Sequence, residues 1–159
     1  TGPNHPTAEW DEVTSKIGVR YQATDDAMIY ATWSKGYRSG GFNGRVDEMD
    51  SARIPYNPET VDNYELGFKT EWRDNALRLN GALFYMDYQD KQEELGLPSD
   101  GATGQRISVF NAASATMQGF ELELQAILTE SLSVRANLGY LDSEYDEFSF
   151  VGPNGMEDL

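Results

Sequence analysis

The sequence predicts an all-β fold: antiparallel strands of a transmembrane β-barrel, about six of them in three hairpins. Three observations carry this. Apolar and polar residues alternate with period two in one run after another. The connections alternate between tight polar turns and long irregular excursions. Aromatic residues gather at the strand ends.

In the run from Val13 to Ala23, the odd positions Val13, Ile17, Val19, Tyr21 and Ala23 oppose Thr14, Lys16, Arg20 and Gln22. Successive side chains of a strand point to opposite faces, so this run has one apolar and one polar face. The stretch from Ala27 to Trp33 is strand-like but apolar on both faces through Met28, Ile29, Tyr30 and Ala31. Alternation returns in Tyr64, Leu66, Phe68, Thr70 and Trp72 against Asn63, Glu65, Lys69 and Glu71. It recurs in Leu77, Leu79, Gly81 and Leu83, in Phe120, Leu122, Leu124 and Ala126, and in Leu132, Val134, Ala136, Leu138 and Tyr140.

Thr24-Asp25-Asp26, Arg73-Asp74-Asn75 and Thr129-Glu130-Ser131 read as tight turns. Between them lie long excursions over 36–60, 89–106 and 142 to the end, rich in Gly, Pro, Asn, Asp and Ser. Long loops of this kind are unusual in a compact soluble domain. They are expected of an outer-membrane barrel, which has short periplasmic turns and long extracellular loops. Trp10, Trp33, Tyr64, Tyr85, Phe120 and Tyr140 fall beside the long loops, and Tyr21 and Trp72 near the tight turns, as two interfacial belts would.

Composition narrows the function. The chain of 159 residues has no cysteine, which excludes a disulfide framework, a thiolate metal site and a cysteine nucleophile. Its net charge of -15 repels nucleic-acid phosphates, so no nucleic-acid partner is expected. No run approaches the ~18 apolar residues of a membrane helix. With 39% hydrophobic and 12% aromatic residues, the chain is also unlike a disordered acidic tail. Six strands fall short of the roughly eight of the smallest single-chain bacterial barrels. We therefore read residues 1–159 as part of a larger barrel, its edge strands pairing with others. By pattern alone a porin, an adhesin or a soluble acidic β-sandwich stays open.

Several ordered motifs resemble the barrel of TonB-dependent outer-membrane receptors, in its later, C-terminal part. They are Tyr30-Ala31-Thr32-Trp33-Ser34-Lys35-Gly36-Tyr37-Arg38-Ser39-Gly40-Gly41-Phe42-Asn43, and Tyr56-Asn57-Pro58-Glu59-Thr60 through Tyr64-Glu65-Leu66-Gly67-Phe68-Lys69. Leu79 to Tyr88, Asn111-Ala112 with Gly119-Phe120-Glu121-Leu122-Glu123, and Leu138-Gly139-Tyr140-Leu141-Asp142 follow in order. The resemblance covers roughly residues 13–150. It implies a Gram-negative outer-membrane location among lipid and lipopolysaccharide, a barrel of about 22 strands plugged by an N-terminal domain, and no enzymatic activity. It implies uptake of a scarce nutrient driven by TonB, a ferric siderophore being the leading cargo. The plug and TonB box lie N-terminal to the barrel in that family. No part of this sequence resembles them, so the chain alone is not expected to transport.

Candidate ligand contacts are Tyr37, Arg38, Phe42, Asn43 and Arg45 in the first long loop, where cations and aromatics suit an anionic chelate. Asp47-Glu48-Met49-Asp50 and Asp142 to Glu147 lack the calcium-loop pattern and read as solvated charge. Glu65, Glu71, Glu121 and Glu123 read as a wet lumen wall rather than a glycosidase pair. His5 is the only histidine, so neither a metal constellation nor a Ser-His-Asp triad is expected, and no cofactor.

Overall fold

The computed structural model describes residues 6–43, 54–98, 105–152 and 155–158. The predicted strands are β1 (Lys16–Thr24), β2 (Ala27–Arg38), β5 (Glu59–Trp72), β6 (Leu77–Pro98), β7 (Gln105–Thr129) and β8 (Leu132–Gly152). Two short strands, β3 (Gly41–Phe42) and β4 (Pro55–Tyr56), pair within the first long connection, and β9 (Gly155–Asp158) folds back on β8. The main sheet runs β1-β2-β5-β6-β7-β8-β9, antiparallel throughout and open at both edges among the described residues.

Register aligns the faces. Val19 pairs with Ala31, Ala31 with Leu66, Leu66 with Leu83, Leu83 with Phe120, and Phe120 with Tyr140. Partners in register point the same way, so these residues form one continuous apolar face. The opposite face carries Glu65, Lys69, Glu71, Arg78, Asn80, Glu121, Glu123 and Gln125 in facing positions. There Arg78 pairs with Glu71, and Asn80 Nδ2 donates to Glu123 Oε2 over 3.3 Å. A soluble sandwich would bury its apolar face. Here Val19 is 70%, Leu66 52%, Leu83 58% and Leu138 59% exposed. No second layer covers this face among the described residues, as expected of a side that meets lipid.

The tight turns form where predicted. Residues 73–75 take left-handed backbone, with φ of 55°, 55° and 67° at Arg73, Asp74 and Asn75, which Asp and Asn tolerate better than most residues. The turns also step downward along the sheet. Ala27, the first residue after the first turn, pairs with Thr70, whereas β5 continues to Trp72 before turning. Leu77 pairs with Ala126, whereas β7 continues to Thr129. Such a stagger is the shear of tilted barrel strands.

The structure departs from the sequence reading in four places. β1 begins at Lys16 rather than Val13, which is 81% exposed. The excursion read over 89–106 is mostly strand: β6 runs on to Pro98 and β7 starts at Gln105. The stretch after Asp142 likewise continues as β8 to Gly152. Trp10 leaves the belt and packs at a tilt of 58° against Phe42, ring centroids 6.1 Å apart. Above the membrane both faces meet water or neighbouring loops, so period two is no longer enforced and the strands cannot be read from alternation.

Candidate functional site

Two levels separate along the sheet. Trp33, Tyr64 and Tyr85 lie side by side in register, and Phe120 and Tyr140 pair one step lower. Trp33 Nε1 donates to Asp62 Oδ1 over 2.8 Å, which ties an interfacial ring to a carboxylate just above it. On β5 this belt is eight residues from Trp72, about 26 Å of strand and, at a tilt of about 40°, about 20 Å of membrane.

Above the belt β6 and β7 rise together. β-bulges between Tyr88 and Gln92 and a left-handed Asp90 (φ 52°) redirect the side chains as the hairpin leaves the membrane. Four buried residues cluster here: Gln92, Ser108, Ala113 and Ala115 are 3–6% exposed. Against this rise dock the described ends of the connection between β2 and β5, through Ser39, Asn43 and Asn57. Within it, Gly40 and Gly41 let the chain pass close to Tyr56, because a Cβ on Gly40 would lie 2.4 Å from the Tyr56 carbonyl oxygen and one on Gly41 2.4 Å from the Tyr56 hydroxyl.

Of the five predicted contacts, Tyr37 and Arg38 end β2, Phe42 lies in β3 and Asn43 follows it, while Arg45 lies outside the described residues, as does the run 47–50. Arg38 points a guanidinium to solvent at 61% side-chain exposure, with Nη1 3.9 Å from Glu59 Oε2. The Tyr37 hydroxyl is buried without a hydrogen-bond partner. Phe42 packs on Trp10, and both amide atoms of Asn43 engage the backbone of Val109. The loop thus presents Arg38 while its neighbours hold the loop in place.

Sequence reasoning missed a second cluster on the rise. Lys91 pairs with Glu93, and the Tyr145 hydroxyl of β8 donates to Glu93 Oε1 over 2.8 Å. The Lys91 ammonium also sits 5.4 Å from the Tyr145 ring centroid, and that ring meets Phe148 edge-on. Burial alone would push the Glu93 carboxyl up, but hydrogen bonds from Lys91 and Tyr145 outweigh it and hold the group below its ordinary range. For Lys91 burial opposes the charge, and the bond to Glu93 prevails, so its pKa lies above the ordinary value. No local pattern flags these partners, since Tyr145 lies 52 residues from Glu93. Among the described residues no group of three or more His, Cys, Asp or Glu is placed to hold a metal. In the acidic run of β8, Asp146 accepts from Thr116 and Asp142 from Gln118.

An open antiparallel sheet, apolar on one side between two aromatic levels, polar on the other and crowned by a docked loop, is the wall of an outer-membrane β-barrel with its extracellular mouth. Residues 1–157 match the family described as TonB dependent receptor-like, beta-barrel, and the chain belongs to that family. Members of this family are transport receptors of the Gram-negative outer membrane rather than enzymes. The metal-pseudopaline receptor CntO of Pseudomonas aeruginosa is 31% identical over 131 residues, covering 82% of this chain and 17% of that receptor. In the crystal structure of the siderophore receptor PirA of Pseudomonas aeruginosa, a matching region covers 86% of this chain and 29% of that one, with a TM-score of 0.66 at 18% identity. The ferric yersiniabactin uptake receptor FyuA of Yersinia pestis matches over 89% of this chain and 23% of its own, with a TM-score of 0.64 at 23% identity. The chain spans 17% of the length of the curated relatives it matches first. The barrel reading therefore holds, and a soluble β-sandwich does not.

Proposed function

We propose that the parent protein takes up a metal chelate, most readily a ferric siderophore, across the outer membrane with energy delivered by TonB. Residues 1–159 supply part of the barrel wall. Further strands close the barrel, an N-terminal plug fills the lumen, and lipid and lipopolysaccharide surround the apolar face. Relatives named for metal-pseudopaline, ferripyoverdine and ferric yersiniabactin support the cargo class.

The observation that carries the reading is Arg38: a solvated cation at the top of a membrane strand, on an arm packed with aromatics. Guanidinium groups favour anionic oxygen ligands, and the net charge of -15 makes each outward cation a marked local exception. Arg45 is the second candidate cation, and Tyr37, Phe42 and Asn43 shape and support the chain beside Arg38.

The full-length receptor is tested with ferric hydroxamates, ferric catecholates and zinc or nickel chelates, following quenching of intrinsic fluorescence. The reading expects binding of at least one chelate, a rise in Kd of about tenfold in Arg38→Ala, as for one lost charged hydrogen bond, and uptake that ceases without TonB. Uptake that continues in a TonB-deficient cell would replace this function with passive diffusion.

A further inference from the structure

Three carboxamide side chains join segments far apart in sequence. Asn43 Nδ2 donates to the Val109 carbonyl over 3.0 Å, and its Oδ1 accepts from the Val109 N–H over 2.8 Å. Asn111 treats Asn57 the same way: its Oδ1 accepts from the Asn57 N–H over 2.6 Å and its Nδ2 donates to the Asn57 carbonyl over 2.8 Å. The same Nδ2 also reaches the carbonyl of Asp90, at the bulge, over 2.7 Å. Gln92, 6% exposed, donates from Nε2 to the carbonyls of Ser39 (3.0 Å) and Asn57 (2.9 Å), so it grips both ends of the loop. Its backbone N–H donates to Glu59 Oε2 over 2.8 Å, and this carboxylate is the one beside Arg38.

Asn43 and Asn111 each supply the donor and acceptor that a neighbouring strand would have supplied, and Gln92 supplies two donors. That substitution is needed because β3 and β4 share no ladder with β6 or β7 among the described residues. Gln92 is the buried member, and leaving its amide unpaired would be costly, so its two bonds tie Ser39 and Asn57 to β6 together.

We propose that Gln92, Asn111 and Asn43 are positioning residues, an amide clamp that docks residues 39–43 and 54–58, the two described ends of the connection between β2 and β5, as a fixed arm and, through Glu59, sets the posture of Arg38. The inference rests on the reading that this mouth takes an anionic metal chelate. Arginine carries many rotamers, and a site that fixes them beforehand loses less freedom on binding. Glu59, its side chain 14% exposed and held from behind by the Gln92 N–H, offers Arg38 a stationary partner on the solvent side.

The test uses the full-length receptor in detergent, first without ligand, by hydrogen–deuterium exchange. Gln92→Leu is expected to raise exchange over 37–43 and 55–59 about tenfold while the heat-modifiable barrel band persists. Arg38 should also react faster with phenylglyoxal. A second pair needs no change in folding: Asn111→Asp keeps the acceptor for the Asn57 N–H, so protection there survives, whereas Asn111→Leu loses it. With ferric hydroxamates and catecholates as probes, Gln92→Leu should then weaken whatever binding the wild type shows. Unchanged exchange in a folded Gln92→Leu receptor, or equal exchange at Asn57 in the two Asn111 variants, overturns the clamp. Wild type that binds no chelate overturns the cargo reading instead and leaves the exchange result standing.

Discussion

Phe68 gives the sharpest perturbation of the wall. It lies on the apolar face of β5, midway between Tyr64 and Trp72, paired with Ile29 and Gly81. Four residues are about 13 Å of strand and about 10 Å of depth at a tilt of about 40°, so an arginine here can reach neither interface in full. Arginine at the mid-membrane surface of a barrel costs about 2–4 kcal/mol. Its ring also covers Gly81, where an added Cβ would lie 2.6 Å from Phe68 Cε1, and losing that cover adds about 1 kcal/mol. Phe68→Arg should therefore lower the folding equilibrium constant of the parent receptor by roughly two to four orders of magnitude, read as the urea midpoint of refolding into lipid vesicles. Lys69→Gln, one residue away on the polar face, should stay within about 0.5 kcal/mol. If Phe68→Arg refolds like the wild type while Lys69→Gln does not, the faces have been assigned backwards.

Three further outcomes follow from the same geometry. A Cβ on Gly119 would sit 2.1 Å from the Tyr140 carbonyl oxygen, whereas one on Gly139 meets nothing nearer than 3.9 Å, so Gly119→Ala should cost about 1–3 kcal/mol and Gly139→Ala far less, compared by urea midpoint. Glu93 titrates below its ordinary range, so its contribution is complete above that range and is lost as pH falls through the lowered value; the stability gap between wild type and Tyr145→Phe should narrow from neutral pH to about pH 3, and an unchanged gap would contradict the role of that hydroxyl. Trp33→Phe removes the bond to Asp62 and should cost about 1 kcal/mol in lipid vesicles.

The sequence made the membrane-spanning part legible because lipid imposes a rule on every second residue. Where Leu66, Leu83 and Leu138 meet hydrocarbon, the alternation is strict and the strands were found in place. Polar turns such as 73–75 were legible because their backbone demands Asp and Asn. Beyond Tyr85 and Phe120 that rule lapses, and the bulge at Asp90 shifts the parity of whatever pattern remains. For this reason the sequence over the rise of β6 and β7 reads as loop. The arm was recognised as a candidate site from its cations and aromatics, but its supports were not. Gln92 and Asn111 act on the backbone of Ser39 and Asn57, at separations of 53 and 54 residues, and a side chain binding a main chain so far away leaves no local signature. Asn43 was singled out for ligand contact, and both its amide atoms are engaged by Val109.

The central claim is that one face of this sheet meets lipid and the other the barrel interior. The chain contains no cysteine, so single cysteines can be placed from 63 to 70 in the full-length receptor without competition from this segment. Spin labels there, reconstituted in vesicles, report contact with oxygen in lipid or with a polar relaxant in water. The account predicts an alternation of period two, with positions 64, 66, 68 and 70 favouring oxygen and 63, 65, 67 and 69 shielded from lipid. Uniform access of the polar relaxant to both sets, or the opposite phase, would contradict it.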